Sequence, residues 1–380
     1  MGAVFRARDL ALERDVAIKV LPPEAVATPE RRRRFETEAK VVATLSLPDD
    51  SAVIFSSVVR GRYTIWKLPS GGGEAVAVLP ESSRLVWPSV SPDDASLLVQ
   101  GRAYRMDAWE FSLPEGEAKR LTFRESVWAS IRLSDGRLLY EDQGRSASES
   151  DITMEDQGKN RVVLFQGSSP RLSRDERRIY FSSGVKGGRR VIAAATVTGG
   201  SFERLTVPAG MDGDPCPTPD EKGVVFTRTW PDGRQSVMFL ERGTGNLRSL
   251  FDGDAIAPVA TSKEAVFPSC TPAPGCGAYA VSITGGAPRL LVPDGHYPTV
   301  APDERTVYAW TGREWNAQAV SVPIDGSAPP RRLFDFSLSR DGLSWAIHTL
   351  NVSPDGRSLI ATRQSVTDMI FLAEGEGVLP

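Results

Sequence analysis

A short pattern recurs along most of this chain with a period of about 40 residues: a turn rich in Pro, Asp and Gly leads into a run of β-favouring residues. A second β-type run ending in a Gly-rich turn follows in step, and most copies add a short further run such as APRLLVP at 287–293. Such a unit cannot bury both of its faces alone, so neighbouring units must stack, each offering about four strands. The eight copies begin at Leu47, Ser91, Leu133, Ser173, Thr218, Ala260, Ala301 and Ser353.

An aspartate stands at the same place in most of these turns. In such a turn Pro presets the backbone and Asp accepts a hydrogen bond from the chain two residues on, so we interpret the aspartates as turn caps and predict no metal site. Two DGD pieces, at 212–214 and 252–254, lack the spacing of a calcium loop, and we predict surface turns there. The turn aspartates are Asp93, Asp135, Asp175, Asp220, Asp303 and Asp355.

Composition narrows the function classes. The 380 residues are 41% apolar and 24% charged with a net charge of −3, which is typical of a globular protein and gives no electrostatic case for nucleic acid. The one dense basic run, Arg31–Arg34, is interpreted as the solvated face of a helix. No apolar run reaches membrane-spanning length and the first residues do not resemble an export signal, so a cytoplasmic location is expected.

Cysteine and histidine are scarce. Cys270 and Cys276 lie six residues apart across a Pro/Gly turn and could form a disulfide in an oxidising compartment, which the sequence leaves open. Cys216 is predicted to be a small buried residue. His296 and His348 stand alone, without the closely spaced partners that a metal site needs.

The S-P-D-G turn that leads into a strand resembles the TolB-like, or PD40, version of the WD40-like repeat, over residues 46–380. The resemblance implies an all-β protein, a β-propeller of four-stranded blades. Eight repeats imply eight blades, or seven if a degenerate unit is absorbed. The last unit is short of a fourth strand, so we expect ring closure to borrow one from the N-terminal side, and we expect a monomer.

Residues 1–45 resemble part of the N-lobe of a bacterial Ser/Thr protein kinase. GAVFRARD, DVAIKVLP and PERRRRFETEAKVVATL are similar to the end of the glycine-rich loop, strands β2 and β3, and the αC helix of that lobe. The resemblance implies an ATP site in which a carboxylate holds the phosphate-pairing lysine. The residues that match its positions are Gly2, Val4, Ala17, Lys19 and Glu38.

The rest of the kinase machinery is missing from the sequence. No H-R-D loop with its downstream Asn, no D-F-G and no A-P-E occurs, so we interpret residues 1–45 as a vestigial N-lobe and predict no catalytic residues. The leading hypothesis is a non-catalytic binding or sensor propeller derived from a receptor-like kinase, whose intact relatives would hold the propeller outside the cytoplasm. It would bind a protein or peptide through the loops at one end of the ring or the channel mouth.

Two alternatives remain open. The vestigial N-lobe could retain nucleotide binding through Lys19, with ATP and Mg²⁺ as its only implied cofactors. The propeller could instead be an enzyme of hydrolase or lactonase type, although no G-x-S-x-G elbow occurs. Aromatic side chains are further candidates for binding: Trp66, Trp109, Trp128, Trp230, Trp310 and Trp315.

Overall fold

The computed structural model describes residues 3–9, 14–20, 44–47, 51–59, 62–78, 85–91, 96–124, 126–143, 150–156, 160–185, 187–272, 274–312, 316–336 and 344–374. The chain divides into two compact units, one of residues 1–103 with 368–380 and one of residues 104–367. Several predictions fall outside the described residues: the helix with Arg31–Arg34 and Glu38, and the residues Gly2, Asp93 and Trp315.

The first unit, in its described part, is made of antiparallel strands. Val4 lies opposite Lys19 in a two-stranded sheet. Ile54, Ile65 and Leu97 form the centre of a small buried cluster. The two-stranded sheet is β1 (Ala3–Asp9) and β2 (Arg14–Val20); a four-stranded sheet has the order β3 (Thr44–Ser46), β4 (Ala52–Val59), β5 (Arg62–Pro69), β6 (Val76–Ala77); and β7 (Leu85–Val90) pairs with the first part of β8 (Ser96–Ser112).

The second unit repeats one sheet design six times, and we number these sheets I to VI. In each sheet the first strand precedes a turn, which carries a capping aspartate in five of the six, and the remaining strands follow antiparallel. Sheets II and III are joined by a single parallel pair, Arg190 with Met211. Sheet VI is assembled from both ends of the unit: β30 (Ser344–Val352), the first part of β31 (Ser358–Glu374), the second part of β8, and β9 (Ala118–Arg120).

Sheets I to V each use one continuous stretch of chain. Sheet I is β10 (Val127–Arg132), β11 (Leu138–Asp142), β12 (Asp151–Asp156) and β13 (Asn160–Gln166), and sheet II is β14 (Ser168–Leu172), β15 (Arg178–Val185), β16 (Arg189–Thr196) and β17 (Phe202–Arg204). Sheet III is β18 (Met211–Pro217), β19 (Gly223–Thr229), β20 (Gln235–Glu241) and β21 (Leu247–Asp252). Sheet IV is β22 (Val259–Ala260), β23 (Glu264–Ser269), β24 (Gly277–Ser282) and β25 (Arg289–Pro293), and sheet V is β26 (His296–Val300), β27 (Thr306–Thr311), β28 (Gln318–Pro323) and β29 (Arg331–Asp335).

A buried apolar cluster lies between each sheet and the next, and the series returns to its start. Ile152 and Phe181 share the cluster between sheets I and II. The last two clusters close the cycle, because Phe111 of sheet VI packs with Phe334 of sheet V and Ala108 of sheet VI packs with residues of sheet I. The first strands also contact one another in the same cyclic order. Residues 104–367 therefore form a β-propeller around a channel lined by the first strand of each sheet.

The composition of sheet VI explains why eight repeats yield six sheets here. The last repeat supplies β30 and β31, and the second repeat supplies β8 and β9, so two repeats share one sheet. Closure with a strand from the N-terminal side was expected from the short last unit, and the structure borrows two strands where one was expected. The first repeat forms β3 to β6 in the other compact unit.

The turn aspartates behave as predicted wherever the structure describes them. Asp175 accepts a hydrogen bond from the backbone N–H two residues on at 3.1 Å, and Asp303 does the same at 2.8 Å. These contacts hold the turn that follows each first strand. Asp135, Asp220 and Asp355 make the same contact.

The two DGD pieces differ from each other. Asp252 ends strand β21 and Asp254 follows in an exposed bend, as predicted. The prediction for 212–214 is wrong, because this piece lies in first strand β18 and the side chain of Asp212 is fully buried. A buried ion pair with Arg228 and a hydrogen bond from Thr206 hold its carboxylate there.

Two further features bear on the open questions. Cys270 and Cys276 are joined by a disulfide in the loop between β23 and β24. No described segment forms a helix with the length and apolarity that a membrane span requires.

Candidate functional site

A recess of about 190 Å³ is lined by residues of the first strands and of the segment just before β22. Every one of the six sheets contributes to its wall, so the recess is the mouth of the channel, and we call it the mouth recess. It is lined by Trp128, Ala129, Ser169, Pro170, Arg171, Asp214, Ile256, Ala257, Tyr297, Thr349 and Asn351.

The repeat places one wall residue of each sheet in equivalent register. Five of the six lie six positions before the turn aspartate of their own repeat, as Ser169 does before Asp175, and Ala257 lies four residues before Thr261 just as Asp214 lies four before Thr218. Five of the six have a left-handed backbone, and a β-bulge accompanies this position in several first strands, which turns the side chain toward the channel. The six residues are Ala129, Ser169, Asp214, Ala257, Tyr297 and Thr349.

Asp214 is the anionic group of this set, and its carboxylate is held from three sides. Ser169 Oγ donates to Oδ1 at 2.8 Å. The backbone N–H of Ala257 and the hydroxyl of Thr227 donate to Oδ2 at 3.2 and 3.4 Å. Asp214 thereby links sheets II, III and IV around the mouth.

Arg171 lies two residues further along its strand than Ser169. Its Nη1 donates to Oδ1 of Asn351, and Nδ2 of Asn351 donates to the backbone carbonyl of Ser130 at 2.8 Å. Asn351 is 7% exposed, so its amide is a fixed support for the guanidinium. Among the described residues, no carboxylate forms an ion pair with Arg171.

Two titratable groups beside the mouth recess have raised pKa values. Burial raises the pKa of Glu141, and hydrogen bonds from Ser169 N–H and the side chain of Ser150 oppose that rise. Burial also raises the pKa of Tyr297, with a further rise from the negative charge of Asp214. Desolvation therefore outweighs hydrogen bonding at this mouth, as expected of a narrow site with limited water.

The tryptophan candidates separate clearly. Trp128 lines the mouth recess and its ring stacks on His348, with ring centroids 4.7 Å apart. Trp310 is 7% exposed, belongs to the core between sheets V and VI, and stacks on His296. Trp66, Trp109 and Trp230 are half-buried and do not line the mouth recess.

The described residues among those predicted to form a vestigial ATP site lie in the first unit. Val4 is on β1, and Ala17 and Lys19 are on β2, which pairs with it antiparallel. Gly2 and Glu38 lie outside the described residues. Within that limit the structure brings Val4 and Lys19 together as cross-strand neighbours.

Metal-ligating side chains are dispersed in the part of the chain that the structure describes, where no group of three or more lies close enough to hold an ion. Cys216 is half-buried between the apolar clusters on either side of β22. Burial raises the pKa of its thiol, and the positive charge of Arg171 partly offsets that rise.

The residues of the mouth recess, Trp128 apart, were missed as candidates, although the sequence carries a signal for them. Pro170, Pro215 and Pro298 each precede the turn aspartate of their repeat by five residues, and Pro258 follows Ala257 in the repeat whose turn has no aspartate. The residue before each of these prolines lies in the mouth recess. Proline fits because the first strand is an edge strand toward the channel, so its missing N–H leaves no ladder partner unsatisfied.

Comparison with known proteins identifies the fold and no more. No protein-family profile matches the chain. No curated protein matches it in sequence.

Solved structures similar to the chain are TolB-like and other β-propellers. A protein described as TolB from Agrobacterium tumefaciens is 16% identical with a TM-score of 0.55, covering 69% of this chain and 98% of that one. TolB from Acinetobacter baumannii is 13% identical with a TM-score of 0.38, covering 95% and 78%. The β-propeller domain of the trilobed protease from Pyrococcus furiosus is 10% identical with a TM-score of 0.41, covering 76% and 95%. The similarity to the Agrobacterium tumefaciens protein supports the β-propeller fold.

Proposed function

We propose that this chain is a non-catalytic binding propeller whose ligand, a protein or peptide segment, enters the mouth recess. The observation that carries the proposal is the composition of the recess: apolar walls from Trp128 and Ile256 surround a few fixed polar groups at one end of a closed ring. Small binding sites generally combine an apolar lining with a few oriented hydrogen-bonding groups. The volume of about 190 Å³ accommodates one or two residues of a chain.

The supporting polar groups are already oriented without a ligand. Asn351 is fixed by Ser130, and Ser169 donates to Asp214 at 2.8 Å while its own N–H donates to Glu141 at 2.8 Å. Binding to such groups orders few side chains, so less conformational entropy is lost. This preorganisation favours a binding role for the recess.

The test places a larger side chain in the mouth recess. Ile256 is 46% exposed and lines the recess, so Ile256→Trp should leave the fold intact while occupying ligand space. We expect the purified chain to retain members of a pool of acetylated random tetrapeptides, half with free carboxyl ends and half amidated. Retention, measured by mass spectrometry, should fall about tenfold or more in the variant.

Val207→Trp is the matched control, because Val207 is 72% exposed and does not line the recess. It should retain the same peptides as the unmodified chain. Equal retention by all three proteins, or no retention by any, would contradict a binding role for the recess.

We further propose that residues 1–45 are the remnant of a receptor-like Ser/Thr kinase and that residues 46–380 carry the sensor propeller. The resemblance of GAVFRARD and DVAIKVLP supports this origin, and both segments contain strands in the places that the resemblance implies. The kinase relationship accounts for a second candidate function, residual nucleotide binding. The specific observation in its favour is that Val4 lies opposite Lys19, so an adenine-packing valine and a phosphate-pairing lysine share one hairpin.

Calorimetric titration with Mg-ATP tests this second candidate. If the hairpin retains a nucleotide site, the chain binds in the micromolar range and Lys19→Ala abolishes the heat, because the lysine supplies the cation for the phosphates. Lys67→Ala on β5 is the control and should bind as the unmodified chain does. No heat in any of the proteins would leave the propeller as the functional part of the chain.

A further inference from the structure

Two charged side chains, Asp214 and Arg171, line the mouth recess. Asp214 lies six positions before the turn aspartate of its repeat, and Arg171 lies four positions before that of its own. Asn351 occupies the same position as Arg171 in its repeat and also lines the recess.

Asp214 and Arg171 differ in the hydrogen-bonding capacity that remains available to a ligand. The carboxylate of Asp214 already accepts from Ser169, Ala257 and Thr227. The guanidinium of Arg171 has five N–H donors, and in the described part of the chain its hydrogen bond goes to Asn351. An oriented arginine without a carboxylate partner favours an anion, and its planar fork suits a carboxylate in particular.

The opposite end of the channel is bridged. Arg174, on the turn of sheet II, donates to Glu304 and to the carbonyl of Pro302 on the turn of sheet V, at 3.0 Å each. Sheets II and V face each other across the ring, so these contacts tie opposite walls. The backbone N–H of Ser262 donates to the second oxygen of Glu304 at 2.7 Å. A chain could thread through the ring only by breaking these contacts, which favours a ligand that ends in the mouth.

We propose that Arg171 is a carboxylate anchor and that the mouth recess takes the terminal carboxylate of a peptide. The inference rests on the proposed binding function and names its ligand chemistry. The terminal carboxylate lies against the free edge of the Arg171 guanidinium, Asn351 holds the other edge, and Trp128 and Ile256 contact the last side chain. A small free carboxylic acid carries the same chemistry, and the experiment separates the two sources.

The test compares peptides that differ in one group. Acetylated random tetrapeptides with a free C-terminal carboxyl are measured against the same pool with amidated ends, by retention on the purified full chain. We expect the acid pool to be favoured about tenfold or more, the range of a hydrogen bond to a charged group. Arg171→Gln should remove this preference, and Arg171→Lys, which keeps the charge without the planar fork, should keep part of it.

The controls keep the outcomes distinct. Arg248→Gln, on outer strand β21, should leave the preference unchanged. Succinate competing at millimolar concentration while the acid pool shows no advantage would identify a small acid, and would overturn the peptide assignment. Equal retention of acid and amide pools, both blocked by Ile256→Trp, would overturn the carboxylate anchor and leave the binding function standing. If Ile256→Trp does not reduce the retention of either pool, both the carboxylate anchor and the binding function of the recess would be overturned.

Discussion

Replacing Asp212 with alanine should destabilise the propeller by about 3–5 kcal/mol, since it leaves a buried arginine without its counter-charge. Nε and Nη2 of Arg228 donate to the two carboxylate oxygens of Asp212 at 2.6 and 2.8 Å, and Thr206 adds a third hydrogen bond at 2.7 Å. The Arg228 side chain is 2% exposed and that of Asp212 is 0% exposed. Urea denaturation of the full chain, followed by circular dichroism, measures the loss.

Two variants show whether the effect comes from the unpaired charge. The double replacement Asp212→Leu with Arg228→Met removes both charges and should recover most of the lost stability, because well-packed apolar residues often substitute for a buried ion pair. Lys222→Ala breaks an exposed pair with Asp220 and should cause no measurable change. A loss below about 1 kcal/mol in Asp212→Ala would contradict the importance of the buried pair.

Gly277→Ala should cost about 1–3 kcal/mol in the free energy of unfolding, the usual range for overpacking a core. Gly277 begins the central strand β24 of sheet IV, paired with Ser269 on one side and Pro293 on the other. A methyl group there would lie 2.6 Å from the carbonyl oxygen of Val292 and 2.5 Å from a side-chain carbon of Leu290. The backbone oxygen cannot turn aside, so the sheet itself must shift.

Gly243→Ala provides the comparison for this substitution. A methyl group at Gly243 meets nothing within 4 Å, and its backbone is not in the left-handed region. The free energy of unfolding should therefore stay the same or rise slightly, because alanine restricts the unfolded chain more than glycine does. Equal losses in the two variants would mean that the close approach at Gly277 is not the cause.

The repeat architecture could be predicted from the sequence because each turn is determined by the few residues within it. Proline, aspartate and glycine act on their own few residues, and the aspartate-to-backbone bond at Asp175 and its counterparts forms just as that chemistry requires. The first strands were harder to recognise. Several contain proline, and β22 has two residues, so a strand pattern of alternating apolar residues is absent.

The candidate site was predicted in position and mostly missed in its residues. The channel mouth was among the expected binding regions, and of the tryptophans considered Trp128 lines it. Arg171, Asp214 and Asn351 come from three different repeats and meet only when the ring closes, so no local pattern brings them together. The burial of Asp212 was not predicted for a related reason. Its ion-pair partner, Arg228, lies 16 residues away on the neighbouring strand.

Sheet VI contains strands from both ends of the propeller unit, so it cannot be completed until the C-terminal strands have been synthesised. Ser358 donates to Glu110 across 248 residues of sequence, so the N-terminal half of that sheet is made long before its C-terminal half. Until β31 emerges, β8 presents an unpaired edge, the kind of surface that recruits other strands. Closing so distant a contact is slow compared with forming the hairpins between. The same contact that completes the ring therefore leaves the nascent chain exposed to association for most of its synthesis.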